Sequence, residues 1–123
     1  MTDLKKIKTP LNYVCPRCFN KIENCNCDYP PRNLILLDYN IQTIIKILNL
    51  KGYVTRNSCE SHCVTDSIYV HFLKNYCFSI LPKNFKYKKG VLSFLYPKET
   101  TEENFIIEKQ KQLEILKNWA LSL

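Results

Sequence analysis

The stretch "GYVTRNSCESHCVTDSIYVHF", residues 52–72, decides the fold. Its first part, Tyr53, Val54 and Thr55, is aromatic and β-branched and reads as the start of a strand. At its other end Ile68, Val70 and Phe72 alternate with Tyr69 and His71, the period of a strand with one buried face. Between them "CESHCVTD" is polar and reads as a turn. Two strands joined by a short turn predict an antiparallel pair, and the rest of the chain is read outward from it.

Upstream, "LILLDYNIQTIIKILNL", residues 34–50, reads as an amphipathic helix, with Ile41, Ile44, Ile45 and Leu48 on one stripe. Asp38, Asn40, Gln42 and Lys46 interrupt it, so it is not a membrane span. Asp38 or Asn40 is placed to cap its start, and Gly52 to supply a left-handed residue at its end. Downstream, "NYCFSIL", residues 75–81, is compatible with a short helix. "NFKYKK" and "VLSFLY" form an expected hairpin with Lys89 and Gly90 at the turn. The last 20 or so residues read as a helix with a Thr100–Glu103 capping box; Phe105, Ile106, Leu113, Leu116 and Ala120 lie near one face, and Trp119 at its margin.

The N-terminal part has a different character. "YVCPRCFNKIENCNCDYPP", residues 13–31, carries four of the seven cysteines in the pattern Cys-x2-Cys-x6-Cys-x-Cys. Four thiolates favour tetrahedral zinc, with an iron–sulfur cluster as the competing occupant. Cys15, Cys18, Cys25 and Cys27 are therefore the expected zinc ligands. A closed four-thiolate site has no position for substrate, so its role would be structural. The fold class that follows is α+β: a small, mainly antiparallel sheet covered by two helices, with an N-terminal four-cysteine zinc knuckle. Residues 1–33 are the basic arm and knuckle, and residues 34–123 the α+β domain, in a single structural unit.

Composition narrows the function. Hydrophobic residues make up 46 %, enough for a core. With only two glycines, a P-loop or Rossmann phosphate loop is excluded. The start, "MTDLKKIKTPLNY", lacks the apolar run of a signal peptide, which makes a cytoplasmic protein with no membrane partner the expectation. In a reducing compartment closely paired cysteines point to metal rather than disulfides. The net charge of +7 draws the protein to polyanions, with nucleic acid or a nucleoprotein complex as the expected partner.

Two further constellations carry chemistry. In the 59–66 turn, thiol, imidazole and carboxylate converge, which is what nucleophilic or acid–base chemistry needs. Cys59, His62 and Asp66 are the catalytic candidates, and Ser58, Cys59, Glu60 and His62 the ligand-facing set. Cys59, His62 and Cys63 would also make a second metal site, with Cys77 or His71 as fourth ligand; the plain alternative is a polar turn whose cysteines are packing residues. In "PKNFKYKKG", residues 82–90, lysines interleave with aromatics. Lys86, Lys88 and Lys89 are phosphate-contacting candidates, or simply a solvated edge strand with Phe85 and Tyr87 facing the core.

The run "LNLKGYVTRNSCESHC" followed by "SIYVHF" resembles the core of small uncharacterised zinc-binding proteins of low-GC Gram-positive bacteria and their phages. Those carry a Cys-Pro-x-Cys start, here Cys15-Pro16-Arg17-Cys18, and a Gly-Tyr-x-Thr-x-x-Ser-Cys-Glu-x-His turn, here Gly52 to His62. That resemblance implies no established activity. Thr55, Ser58 and Cys59 also resemble the Ser-Cys turn of the wybutosine-synthesis methyltransferase family of tRNA modification. Where that family continues Ser-Gly-Arg, this chain has Glu60, Ser61 and His62. Three functions are open on this basis. One is a zinc-stabilised binding protein contacting nucleic acid or a nucleoprotein complex. The second is an enzyme modifying RNA or a nucleotide at the Ser58–Cys59–His62 turn. The third is a phage-type counter-defence protein that inhibits a host protein.

Overall fold

The computed structural model describes residues 11–15, 20 and 35–123. In chain order the elements are β1 (Leu11–Val14), β2 (Ile35–Asp38), a single 3-10 turn (Tyr39–Ile41), α1 (Gln42–Leu50), β3 (Thr55–Cys59), β4 (Ile68–Phe72), β5 (Lys86–Lys88), β6 (Val91–Phe94) and α2 (Glu102–Ser122). β1 and β2 form a two-stranded antiparallel sheet, and the other four a second antiparallel sheet in the order β3-β4-β6-β5. The chain is thus α+β, with a four-stranded antiparallel sheet and two helices. Of the knuckle residues Cys18, Cys25 and Cys27 lie outside the described residues; Cys15 is buried, and its N–H bonds the Asn20 carbonyl at 3.0 Å. Among the described residues no helix is long and apolar enough to cross a membrane.

One core serves both sheets and both helices. Ile68, Val70 and Phe72 of β4 are buried as their alternation requires, and Leu92 and Phe94 of β6 join them. α1 contributes Ile44, Ile45 and Leu48; α2 contributes Phe105, Leu113, Leu116, Trp119 and Ala120; Val14 and Leu37 come from the two-stranded sheet. Each such side chain taken fully out of water contributes about 1.5–3 kcal/mol, which gives this sheet its hold on the helices. Trp119 is in the core rather than at its margin, where its ring meets Phe78 edge-on at 5.0 Å and its N–H donates to the Ile80 carbonyl at 2.7 Å. Ile106, expected on the buried face, is 40 % exposed.

Four local expectations are corrected. Residues 35–38 are strand, not the first turn of the helix: an apolar run of this length fits either, and pairing with β1 settles it. Neither Asp38 nor Asn40 caps α1, because both side chains are bonded to a distant segment; Ile41 holds the cap position without a side-chain bond. The cap of α2 is Thr101, whose hydroxyl accepts from the Asn104 N–H at 3.2 Å, one residue later than the Thr100–Glu103 box. In the 75–81 segment no helix forms. Tyr76 and Phe78 instead stack into an aromatic cluster with Tyr53, Phe72 and Tyr87.

The β5–β6 hairpin closes through Lys89 and Gly90, both with positive φ (50° and 79°), as a two-residue primed turn demands. A methyl group added at Gly90 would sit 3.5 Å from the Lys74 carbonyl oxygen, an ordinary contact, so its cost is conformational. Gly90→Ala is expected to lower stability by about 1–2 kcal/mol and to bring down Tm by several degrees in a thermal unfolding scan. An unchanged Tm would mean that the turn is not held in this geometry.

Candidate metal centre

The centre is assembled from the ends of two strands that belong to different sheets. Asp38 is the last residue of β2, and Cys59 the last of β3. Immediately after Cys59 the chain reverses through Ser61, which has φ of 75° and is fully buried. Its hydroxyl lies 3.0 Å from the Cys63 carbonyl oxygen and 3.2 Å from that of Asp66, and these contacts hold a non-glycine residue in the left-handed region.

That reversal aims three consecutive backbone N–H groups at side chains. The Glu60 N–H donates to Asp38 Oδ2 at 3.1 Å, the Ser61 N–H to the Cys59 sulfur at 3.4 Å, and the His62 N–H to Asp66 Oδ2 at 3.3 Å. Successive amides in a turn make a site of positive potential. Here it is directed at two carboxylates and a thiol.

His62 Nε2 stands 3.2 Å from Asp38 Oδ2. With the Cys59 sulfur, these two side chains place one nitrogen, one oxygen and one sulfur within 4.8 Å of one another, a group able to hold a metal ion. Bonds of about 2.0–2.3 Å put neighbouring ligands of a tetrahedral zinc about 3.3–3.7 Å apart, so the His62–Asp38 spacing already suits such an ion. The Cys59 sulfur lies within 4.8 Å of both. His62 keeps 26 % of its side chain exposed and Asp38 only 8 %, so the group opens to solvent on the histidine side.

Burial pushes the Cys59 thiol up from its ordinary range; the Ser61 N–H opposes this, and the charges of Asp38, Asp66 and Glu60 add to it. A thiol held protonated in this way is a poor nucleophile at neutral pH, because only the thiolate attacks. The same negative surroundings attract a cation, and a coordinated thiol gives up its proton. The donor set therefore fits a metal better than it fits a cysteine nucleophile.

Behind the centre Glu60 is fully buried. Its carboxylate accepts from the Asn40 N–H at 2.8 Å and from Asn40 Nδ2 at 2.8 Å, and it pairs with Lys109 of α2 at 2.6 Å. Nearby the buried Tyr96 hydroxyl has no well-formed hydrogen bond among the described residues; burial pushes its pKa up to about 12, with the Ser61 hydroxyl pulling slightly the other way.

The structure sorts the expected residues. Cys59 and His62 come together, joined by Asp38, which sequence reading assigned to a helix cap. Asp66 stands beside them through the His62 N–H. Glu60, expected to face a ligand, is instead sealed in an ion pair. Ser58 pairs with the buried Val70 while Cys59 pairs with Tyr69, so alternation sends Ser58 to the core side of the sheet. Cys63, Cys77 and His71 are not in the metal-binding group: Cys63 is buried with its sulfur 3.2 Å from Thr65 Oγ1, Cys77 is exposed, and His71 pairs with Asn57 further along β4. Lys86, Lys88 and Lys89 are exposed at the opposite edge of the sheet from β3. No family model, curated protein or solved structure matches the chain.

Removing Lys109 while leaving Glu60 strands a buried carboxylate. Lys109→Met is expected to cost about 3–5 kcal/mol in urea unfolding, and a second change, Glu60→Gln, to restore most of it. A Lys109→Met protein as stable as the parent would show that Glu60 carries no buried charge.

Proposed function

We propose that the protein is a zinc-binding protein that meets a phosphate-bearing partner, RNA or a nucleotide, at the 59–66 turn. The observation that carries this reading is the convergence of Asp38, Cys59 and His62, a mixed oxygen, sulfur and nitrogen set drawn from the end of β2, the end of β3 and the turn that follows β3. Among the described residues three protein ligands converge and leave a fourth position open, the arrangement of zinc centres that bind or activate a ligand rather than only holding a fold together. A zinc ion there would supply a Lewis-acid position at neutral pH. Cys59 and Asp38 would hold it as anionic donors and His62 as a neutral one, while Asp66 holds the turn by accepting the His62 N–H. On this reading the ligand-facing role lies at the turn, and Cys15, Cys18, Cys25 and Cys27 remain the proposed structural zinc knuckle.

Nucleic acid is favoured as the partner by charge. The +7 chain carries Lys86, Lys88 and Lys89 on solvent-facing positions of the β5–β6 hairpin, with the Tyr87 ring half-buried between them. Exposed lysines on an edge strand lose little by contacting phosphates and give up condensed counterions when they do.

Metal analysis of protein purified without added metal tests the first part. Two zinc ions per chain are expected, one lost in Cys18→Ser and the other in Cys59→Ser. Parent protein and Cys59→Ser with equal metal content would refute the centre at the turn, and an iron–sulfur absorption band would refute zinc at the knuckle.

Oligonucleotide binding tests the second part. Changing Lys86, Lys88 and Lys89 together to Glu should abolish binding to a single-stranded RNA at low salt. In the parent, three phosphate contacts predict a log–log salt slope of about −2. No binding by the parent, or equal binding by the variant, would remove nucleic acid from the proposal.

A further inference from the structure

We infer that Lys109 is a positioning residue for the metal centre: from a helix that supplies no ligand it fixes, through Glu60, where Asp38 reaches. The inference rests on the reading of Asp38, Cys59 and His62 as metal ligands.

The contacts form a chain with few joints. Lys109 Nζ and Asn40 Nδ2 both meet Glu60 Oε2, at 2.6 and 2.8 Å, and the Asn40 N–H meets Oε1 at 2.8 Å. The Glu60 N–H then meets Asp38 Oδ2 at 3.1 Å, the oxygen that faces His62. Glu60 therefore grips the segment carrying Asp38 in two ways. Its side chain holds Asn40, two residues beyond Asp38, and its backbone holds the Asp38 carboxylate itself. Lys109 sets where the Glu60 carboxylate sits, and it is as buried as its partner, 4 % exposed against 0 %.

Stability alone does not call for this arrangement. A buried ion pair is commonly matched or bettered by apolar side chains of similar volume, because desolvation offsets the Coulombic attraction. What an apolar pair would not do is hold Asn40 by two hydrogen bonds and so keep Asp38 turned toward His62 and Cys59. Hydrogen bonds made to a metal ligand from behind orient it, and their loss typically weakens metal binding by about 10–100-fold.

Cobalt(II) titration of folded protein, read by the sulfur-to-metal band and the d–d bands, tests the inference. Cobalt bound by the parent but not by Cys59→Ser defines the centre. The double variant Glu60→Leu/Lys109→Met leaves no buried charge unpaired. It is expected to melt within a few degrees of the parent and yet to bind that cobalt about 10-fold or more weakly, with weaker tetrahedral d–d bands. Asn40→Ala, at an exposed position, should weaken cobalt binding in the same direction and decides the matter if the double variant does not fold. Ile44→Val serves as the control that lowers Tm without changing cobalt affinity. Parent affinity in the double variant, or in Asn40→Ala where that variant decides, would overturn the positioning role while leaving the metal centre intact. A parent that binds no more cobalt than Cys59→Ser would instead overturn the centre.

Discussion

The carboxylate of Glu60 is the point on which the Asp38–Cys59–His62 cluster depends. Three otherwise separate parts of the fold meet there: the segment that follows β2, the turn that follows β3, and the middle of α2. Taking a carboxylate fully out of water costs several kcal/mol unless its oxygens are satisfied. Both are, by Asn40 and Lys109, at distances of 2.6–2.8 Å. Because the same residue also donates its N–H to Asp38, the bonds that make its burial tolerable also bring a carboxylate from one sheet to a thiol and an imidazole from the other. Asp38 and His62 are 24 residues apart in sequence, and this constraint helps to hold them 3.2 Å apart in space.

The turn supplies the other half of the geometry. Ser61 adopts a backbone conformation that costs a non-glycine residue about 1–2 kcal/mol, and its hydroxyl contacts to two carbonyls offset part of that. In return the amides of residues 60, 61 and 62 point at Asp38, Cys59 and Asp66. Strain at a turn that orients chemically active side chains is where function is commonly built, and rigid strands on both sides keep the orientation.

How far the sequence can be read follows from which interactions are local. Ile68, Val70 and Phe72 alternate, and alternation is a property of neighbouring residues, so β4 and its buried face were legible. The Lys89–Gly90 turn and the left-handed Gly52 were legible for the same reason, since φ preference belongs to the residue itself. The pairing of Asp38 with His62 was not: near the start of an apolar, helix-like run an aspartate reads as a cap, and no local signal says that its carboxylate is needed elsewhere. Lys109 did leave a trace. It lies four residues after Phe105 and four before Leu113, on the buried face of α2, and a lysine inside an apolar stripe implies a buried anion. The 59–66 turn holds two acidic residues, Glu60 and Asp66, and only the three-dimensional arrangement pairs Lys109 with Glu60.

Sheet order limits how the basic hairpin and the turn can act together. β5 and β3 are the two edges of a four-stranded sheet, so three strand spacings, about 14 Å, separate them. That exceeds the Debye length of about 8 Å at physiological ionic strength, and the lysines of the β5 edge are exposed, so their charges are largely screened at the turn. Lys86, Lys88 and Lys89 therefore cannot tune the chemistry of Cys59 and His62 through their field. They can contribute only through a ligand long enough to touch both edges. A polynucleotide meets that requirement and a free phosphate does not, so the two constellations belong to one function only if the partner is a chain of phosphates.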